Sequence, residues 1–230
     1  MWVVMHIIWQ WYALILALTG GWFILLSLSN ILFFRLSRRK ERWKDGPFMS
    51  VLIPARNEEN RIRPTLDAIL KQEYSSYEVI VVDDNSTDST WDILKEYEQN
   101  YPNLQPVKGA ALPEGWNGKP FAMKQLAAKA SGEFLVFLDA DIVAAPDFLS
   151  WTAERMRRHK VDTMSGYAYH KAHSFLEQLF FPMMYLVGMT FLPFWLIKST
   201  RPSLFSHAIG QLLVFRREAY DGCGGIDVVR

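Results

Sequence analysis

Cysteine is almost missing from this chain, with one residue, Cys223, among 230. A lone cysteine excludes an internal disulfide and a cysteine-rich zinc site, and it fits a reducing compartment. Cys223 itself is expected to be a small buried apolar side chain. Net charge is nearly missing too: 25 basic against 24 acidic residues leave +1, so nothing global attracts nucleic acid or a polyanionic substrate. Internal repeats and low-complexity tracts are absent. Charge is also lacking locally, since residues 7–34 carry none.

That uncharged stretch runs through Trp9, Trp11, Trp22 and many Leu and Ile over 28 residues, enough to cross a bilayer with tilt or interfacial overhang. No Lys or Arg precedes it, unlike the start of a cleaved signal peptide. Arg35, Arg38, Arg39, Lys40, Arg42 and Lys44 follow it, and positive charge keeps such a flank on the cytoplasmic side. The expectation is a retained anchor over residues 1–35, a basic linker over 36–47 and a cytoplasmic domain from residue 48 to Arg230, held at the cell membrane.

With half its residues hydrophobic, the chain is long enough for one α/β domain beyond the anchor. Apolar runs at 49–53, 77–82 and 133–138 read as strands, with a fainter one at 104–107. Between them, Ile62, Leu66, Ile69 and Leu70 recur at helical spacing, Ser86 to Asp88 offer N-cap side chains for a second helix, and residues 120–130 form a third. Pro146 opens a fourth. Alternating strands and helices predict an α/β fold with a mainly parallel sheet, right-handed crossovers and ligands beyond the carboxyl ends of the strands.

Both acidic clusters fall at such ends. Asp139 and Asp141 can direct two carboxylates at one point, which suits Mg²⁺ or Mn²⁺ holding a nucleotide diphosphate. Asp83 and Asp84 can accept a uracil imide hydrogen or a ribose hydroxyl, although turn and cap hydrogen bonds account equally for acids before Asn-Ser. Lys119, after Gly118 at a helix start, suits a diphosphate, against the reading of a plain surface lysine. His170 and His173 lack a third ligand and are not read as a metal pair. A receiver domain would carry its acidic pair after the first strand, and a sugar-nucleotide-forming nucleotidyltransferase would need a Gly-rich, Arg-containing phosphate loop there.

Residues 51–58 (Val-Leu-Ile-Pro-Ala-Arg-Asn-Glu), 81–88 (Val-Val-Asp-Asp-Asn-Ser-Thr-Asp) and 138–141 (Leu-Asp-Ala-Asp) occur in the order and spacing of glycosyltransferase family 2. The chain resembles that family over residues 49–225. The resemblance implies a GT-A fold, a nucleotide-sugar donor such as a UDP-sugar, a divalent metal and inversion at the anomeric carbon. It implies that Pro54, Ala55, Arg56, Glu58 and Asp84 line the base pocket, that Asp139 lies near the ribose and diphosphate, and that Asp141, with Asp139, holds the metal. Residues 112–120 look like the loop of members acting on lipid acceptors, among them carotenoid and hopanoid-associated transferases. Residues 206–211, 216–220 and 224–225 resemble the stretch that closes over donor sugar and acceptor.

Residues 175–197 are dense in Phe, Leu, Met and Trp, yet Glu177, Pro182, Gly188 and Pro193 interrupt them. The expectation is a segment at about 175–200 lying in the membrane interface, forming a greasy wall for a lipid acceptor, with a second span or a core element as alternatives. The resemblance departs at the catalytic base, the Asp of a Glu-Asp pair beyond the double glycine. Asp227 is the one acid after Gly225, so the base is expected downstream of Arg230, with Asp227 as the candidate inside the chain. Two classes of function follow: an inverting membrane-bound transferase with a lipid-type hydroxyl or carboxyl acceptor, or a truncated donor-binding protein without turnover.

Overall fold

The structure is a computed structural model that describes residues 2–36, 43–170, 172, 174–197 and 208–228. The features expected at Arg38, Arg39, Lys40, Arg42, His173, Ser206 and His207 lie outside them. In chain order the strands are β1 (Met49–Ala55), β2 (Tyr77–Asp83), β3 (Leu104–Lys108), β4 (Phe134–Leu138), β5 (Thr163–Ser165) and β6 (Leu212–Arg216). The helices are α1 (Trp2–Leu36), α2 (Ile62–Ile69), α3 (Thr90–Asn100), α4 (Gly118–Lys129), α5 (Phe148–His159), α6 (Phe175–Phe191), α7 (Phe194–Ile197) and α8 (Arg217–Gly222). By compactness the chain divides into two units, Met1–Arg39 with Tyr169–His207, and Lys40–Ala168 with Ala208–Arg230.

The second unit holds the six-stranded sheet, ordered β3-β2-β1-β4-β6-β5. Alternate side chains of a strand face opposite ways, and here both faces are covered. Val51, Val79, Val81 and Val136 pack on α2, α3 and α5, while Leu52, Ile80, Leu135 and Phe137 pack on α4 and on Tyr220 of α8. The central runs therefore read as continuous apolar stretches rather than as alternation. Pairs β3/β2, β2/β1 and β1/β4 are parallel; β6 lies antiparallel between β4 and β5. The mainly parallel sheet is as expected, and the antiparallel edge is an addition to it.

In the first unit α1 runs for 35 residues, and only Leu26 and Asn30 are buried on it. It is the one helix among the described residues long and apolar enough to cross a membrane. Residues 175–197 form two helices, neither of them long enough to count as a regular span. A capping box at Ser174 and Glu177 starts α6, which continues through Pro182 and Gly188 and breaks only at Leu192 and Pro193. Pro182 lacks an N–H, so one helical bond is lost, yet its fixed φ remains helical. No residue of α6 is buried. Asn30 joins the break: its Nδ2 donates to Met189 O at 2.8 Å and Leu192 O at 2.7 Å, and its Oδ1 accepts from Phe194 N at 3.0 Å. His170 Nδ1 lies 3.0 Å from the Tyr185 hydroxyl, and its ring packs against Phe181.

At the amino end of the sheet, Ser50 Oγ donates to Glu78 Oε1 at 2.6 Å and accepts from Gly132 N at 2.7 Å. Ser131 donates to the same Glu78 oxygen from its N–H and its hydroxyl. These bonds hold Glu78 below the usual carboxyl pKa against the opposing effect of burial. Gly132 is required there, because a Cβ would sit 2.5 Å from Ser50 N and 2.8 Å from Met49 C. Gly132→Ala is expected to lower the unfolding free energy by about 1–3 kcal/mol, measured by denaturant titration of tryptophan fluorescence in detergent.

Candidate functional site

Parallel pairing aligns the carboxyl ends of β1, β2 and β4. Ala55 is opposite Asp83, and Asp84 N donates to Ala55 O at 2.8 Å, so the loops after β1 and β2 leave the sheet side by side. They brace each other reciprocally. Asn57 Oδ1 accepts from Thr87 N at 2.8 Å, Asn57 N donates to Ser86 Oγ, Glu58 N donates to Thr90 Oγ1, and Ser89 N donates to Glu59 Oε2. Asn57 and Asn85 take left-handed backbone conformations, φ 55° in both, a region asparagine tolerates better than most residues. The cap position of α3 is Ser89, which makes no side-chain cap bond; one residue ahead of it, Asp88 Oδ1 accepts from Thr90 N at 3.0 Å.

The two acids at the end of β2 differ. Asp83 has a fully buried side chain, paired with Lys108 Nζ at 2.7 Å, and its other oxygen accepts from Ser86 N at 3.2 Å. Lys108 sits opposite Asp83 in the β2/β3 register. Asp84 is also buried but has other neighbours: Arg56 Nη1 lies 3.9 Å from its Oδ2, and a Cβ on Gly118 would stand 3.3 Å from that same oxygen. The amino end of α4 therefore lies beside Asp84. Asn117 makes no side-chain cap there. Arg56 is mostly exposed, whereas Pro54 and Ala55 are the last residues of β1.

Asp139 follows β4 directly. Its Oδ1 accepts from Lys119 Nζ at 2.5 Å, its backbone N donates to Gln211 O at 3.1 Å, and Lys119 also lies 3.4 Å from Gly210 O. Behind the turn, the buried Thr65 hydroxyl of α2 donates to Ala140 O at 2.8 Å. With Ala140 buried and tied back in this way, the neighbouring Asp139 is half-exposed and Asp141 exposed. Glu58 is close enough to feel them. Partial burial pushes its carboxyl above the usual range, Arg61 opposes this, and repulsion from Asp141, Asp88 and Asp139 adds to it.

The sequence expectations thus separate. Arg56, Asp84 and the start of α4 meet on one side, and Lys119, Asp139 and the strand lead-in 209–211 meet on the other; Glu58 is within electrostatic reach of Asp139 and Asp141. Residues 216–220 do not reach this end. Antiparallel pairing puts Leu212 opposite Leu138 but Arg216 opposite Phe134, where Arg216 pairs with Glu133 and Asp162 and Arg217 donates to Ala130 O and Gly132 O. Asp227 accepts from Lys124 Nζ at 2.6 Å. Cys223 is exposed rather than buried, because it follows the last turn of α8 while Tyr220 takes the core position. Thr65 and Lys108 carry no signal in the sequence, whereas Asn57 lies within the 51–58 motif, two residues past the end of β1.

Among the described residues no group of three or more His, Cys, Asp or Glu is placed to hold a metal ion. Asp139 and Asp141, two residues apart after β4, supply two carboxylates with hard oxygen donors. That set fits Mg²⁺ or Mn²⁺, which keep positions for water and phosphate oxygens.

The family model described as Glycosyl transferase family 2 matches residues 50–224. Over 97% of its length the chain is 30% identical to a beta-monoglucosyldiacylglycerol synthase of Nostoc sp., covering 49% of that protein. It is 39% identical to the probable glycosyltransferase YdaM of Bacillus subtilis, over 44% of this chain and 24% of that one. The chain spans about half the length, or less, of these curated relatives. Among solved structures, the mannosyltransferase PcManGT of Pyrobaculum calidifontis, in complex with GDP-Man and Mn²⁺, superposes with a TM-score of 0.59 over 91% of this chain and 58% of its own, at 23% identity. Staphylococcus aureus TarS in complex with UDP gives 0.54 over 77% of this chain and 49% of its own, at 23% identity. The two share the GT-A fold with the sheet described above. Since the family model covers most of the sheet-bearing residues, from β1 to the turn after α8, this chain belongs to glycosyl transferase family 2.

Proposed function

We propose that the chain is the donor-binding portion of a membrane-bound glycosyltransferase that moves a sugar, with inversion, from a UDP-sugar to a hydroxyl or carboxyl of a lipid-type acceptor. The observation that carries this is the Lys119–Asp139 ion pair at the carboxyl end of β4, with the exposed Asp141 two residues on, and Arg56 near Asp84 at the end of β2. In this reading residues 54–58 and Asp84 receive the base and Asp139 faces the ribose and diphosphate. Asp83 is given a supporting role, since its carboxylate is buried and held by Lys108. A bound Mg²⁺ or Mn²⁺, held by Asp141 with Asp139, would supply Lewis-acid stabilisation of the departing diphosphate. Lys119 and the uncapped start of α4 contribute an ammonium, free N–H groups and a positive dipole end to the same anion.

A nucleoside-diphosphate donor is supported by neighbours of this fold solved with GDP-Man and with UDP, and a lipid acceptor by the Nostoc relative, a beta-monoglucosyldiacylglycerol synthase by name. The long apolar α1, followed by the basic run at 35–44, supports an anchor with the sheet on the cytoplasmic side. Asp227, already paired with Lys124, is not assigned the acceptor's proton.

UDP is expected to bind the detergent-solubilised chain only with Mg²⁺ or Mn²⁺, and Asp141→Ala to abolish that binding in equilibrium dialysis; metal-independent binding, or full binding by the variant, overturns the assignment. Lys119→Ala removes a charge-assisted contact and is expected to weaken UDP binding about 10- to 100-fold, with uridine binding unchanged. Radiolabelled UDP-sugar incubated with the chain and extracted lipids should yield label in the organic phase, and label confined to water argues against the lipid acceptor.

A further inference from the structure

The chain leaves the sheet after β5 and returns to it at β6, and these strands pair with each other, Thr163 opposite Phe215 and Ser165 opposite Leu213. Residues 166–211 therefore start and finish on one side of any bilayer. A single crossing by α6 is excluded, because it would pull apart a hydrogen-bonded pair of strands. The segment is nonetheless made for lipid: residues 178–197 carry no formal charge, and α6 buries none of its side chains. It either lies along the surface or enters the hydrocarbon and comes back.

Contacts on α1 decide between these, given the reading of α1 as a membrane span with Arg35 at the headgroups. Ser27 meets Thr190 at 3.4 Å, Phe23 meets Phe191 with ring centroids 5.0 Å apart, and Asn30 holds Met189. Asn30, Ser27 and Phe23 lie five, eight and twelve residues before Arg35, about 8, 12 and 18 Å further along the helix. A leaflet's hydrocarbon is about 15 Å deep, so the Asn30 and Ser27 contacts put the end of α6 inside it, and the Phe23 contact puts Phe191 near the bilayer midplane. Phe194, after the break, packs on Phe34, next to Arg35, so the chain has turned back.

A helix break at that depth exposes backbone groups that hydrocarbon cannot satisfy. Here one side chain satisfies three of them: Asn30 takes the carbonyls of Met189 and Leu192 and the N–H of Phe194, and is itself fully buried. We propose that residues 175–197 form a re-entrant membrane element, α6 descending into the leaflet next to Arg35 and α7 returning, with Asn30 of the spanning helix as the clamp on its turn. The partner surface is the lipid of that leaflet. The inference rests on the membrane anchor within the proposed function and not on donor chemistry.

Spin labels at Leu179, Met183, Leu186 and Val187, one at a time in the full chain with Cys223→Ser, test it in phosphatidylcholine–phosphatidylglycerol vesicles. Collision with oxygen against collision with a water-soluble nickel chelate reports depth. A depth that grows from Leu179 to Val187, with the chelate excluded throughout, is expected. A constant depth, with chelate access alternating at helical period, means a surface helix and overturns the proposal. In Asn30→Leu, chelate collision at Val187 should rise at least about 3-fold while UDP binding is retained; an unchanged profile removes the clamp. The profile with Asn30 intact decides the topology even if the variant fails to insert. Absence of UDP binding in the parent, with the depth profile intact, would count against the donor reading alone.

Discussion

Parallel pairing of β1 on both of its edges is the constraint on which the candidate site depends. Because β2 and β4 run alongside β1 in the same direction, three chain exits are forced to one end of the sheet. Arg56, Asp84 and Asp139 are 28 and 55 positions apart in sequence, yet backbone register alone gathers them. The helices on both faces then do more than cover apolar surface. α2 supplies Thr65 to the Ala140 carbonyl, and α4 brings Lys119 to Asp139. Each exit is thus held by an element from outside its own strand.

Charge at this end is arranged in opposed pairs, with acid left over. Arg56 faces Asp84 and Lys119 faces Asp139, while Asp141 and Glu58 add negative charge; partial burial raises the Glu58 pKa, and repulsion from the nearby acids adds to it. A surplus of carboxylate oxygen around one turn is costly unless a cation shares it, and solvent screening lowers that cost only for the exposed groups. Asp83 escapes the problem by pairing inside the fold with Lys108, whose ammonium also lies over the Trp91 ring at 4.2 Å. Identical residues next to each other are therefore given separate tasks by which way the strand turns them.

What the sequence makes legible follows from range. β1, β2 and β4 are buried on both faces, so each is a local apolar run with a proline or an acid at its end, and the acidic clusters are read directly from their positions after those runs. β5 and β6 are not legible that way. They are short and half-exposed at the antiparallel edge, and β6 exists because β4 offers it a free side, a fact no window of residues contains. The burial of Asp83 likewise depends on Lys108 arriving from the next strand. The positions of Arg216 and Tyr220 are also set by the antiparallel edge, which puts Arg216 opposite Phe134 and Tyr220 on Phe137 and Phe215. The prolines of 175–197 differ in effect: Pro182 removes one hydrogen bond without ending α6, whose start is fixed by its capping box, and the helix ends ahead of Pro193, too short for a regular span.

The excursion between β5 and β6 has a thermodynamic side of its own. The entropy of closing a loop grows only with the logarithm of its length, so doubling residues 166–211 would add about 0.6 kcal/mol to the cost of pairing their flanking strands. The sheet edge therefore constrains where this insertion is tied and hardly at all how long it is. Length between the ends of that stretch is free to change while the sheet and its register stay as they are, provided residues 209–211 keep their hold on Ser165, Lys119 and Asp139.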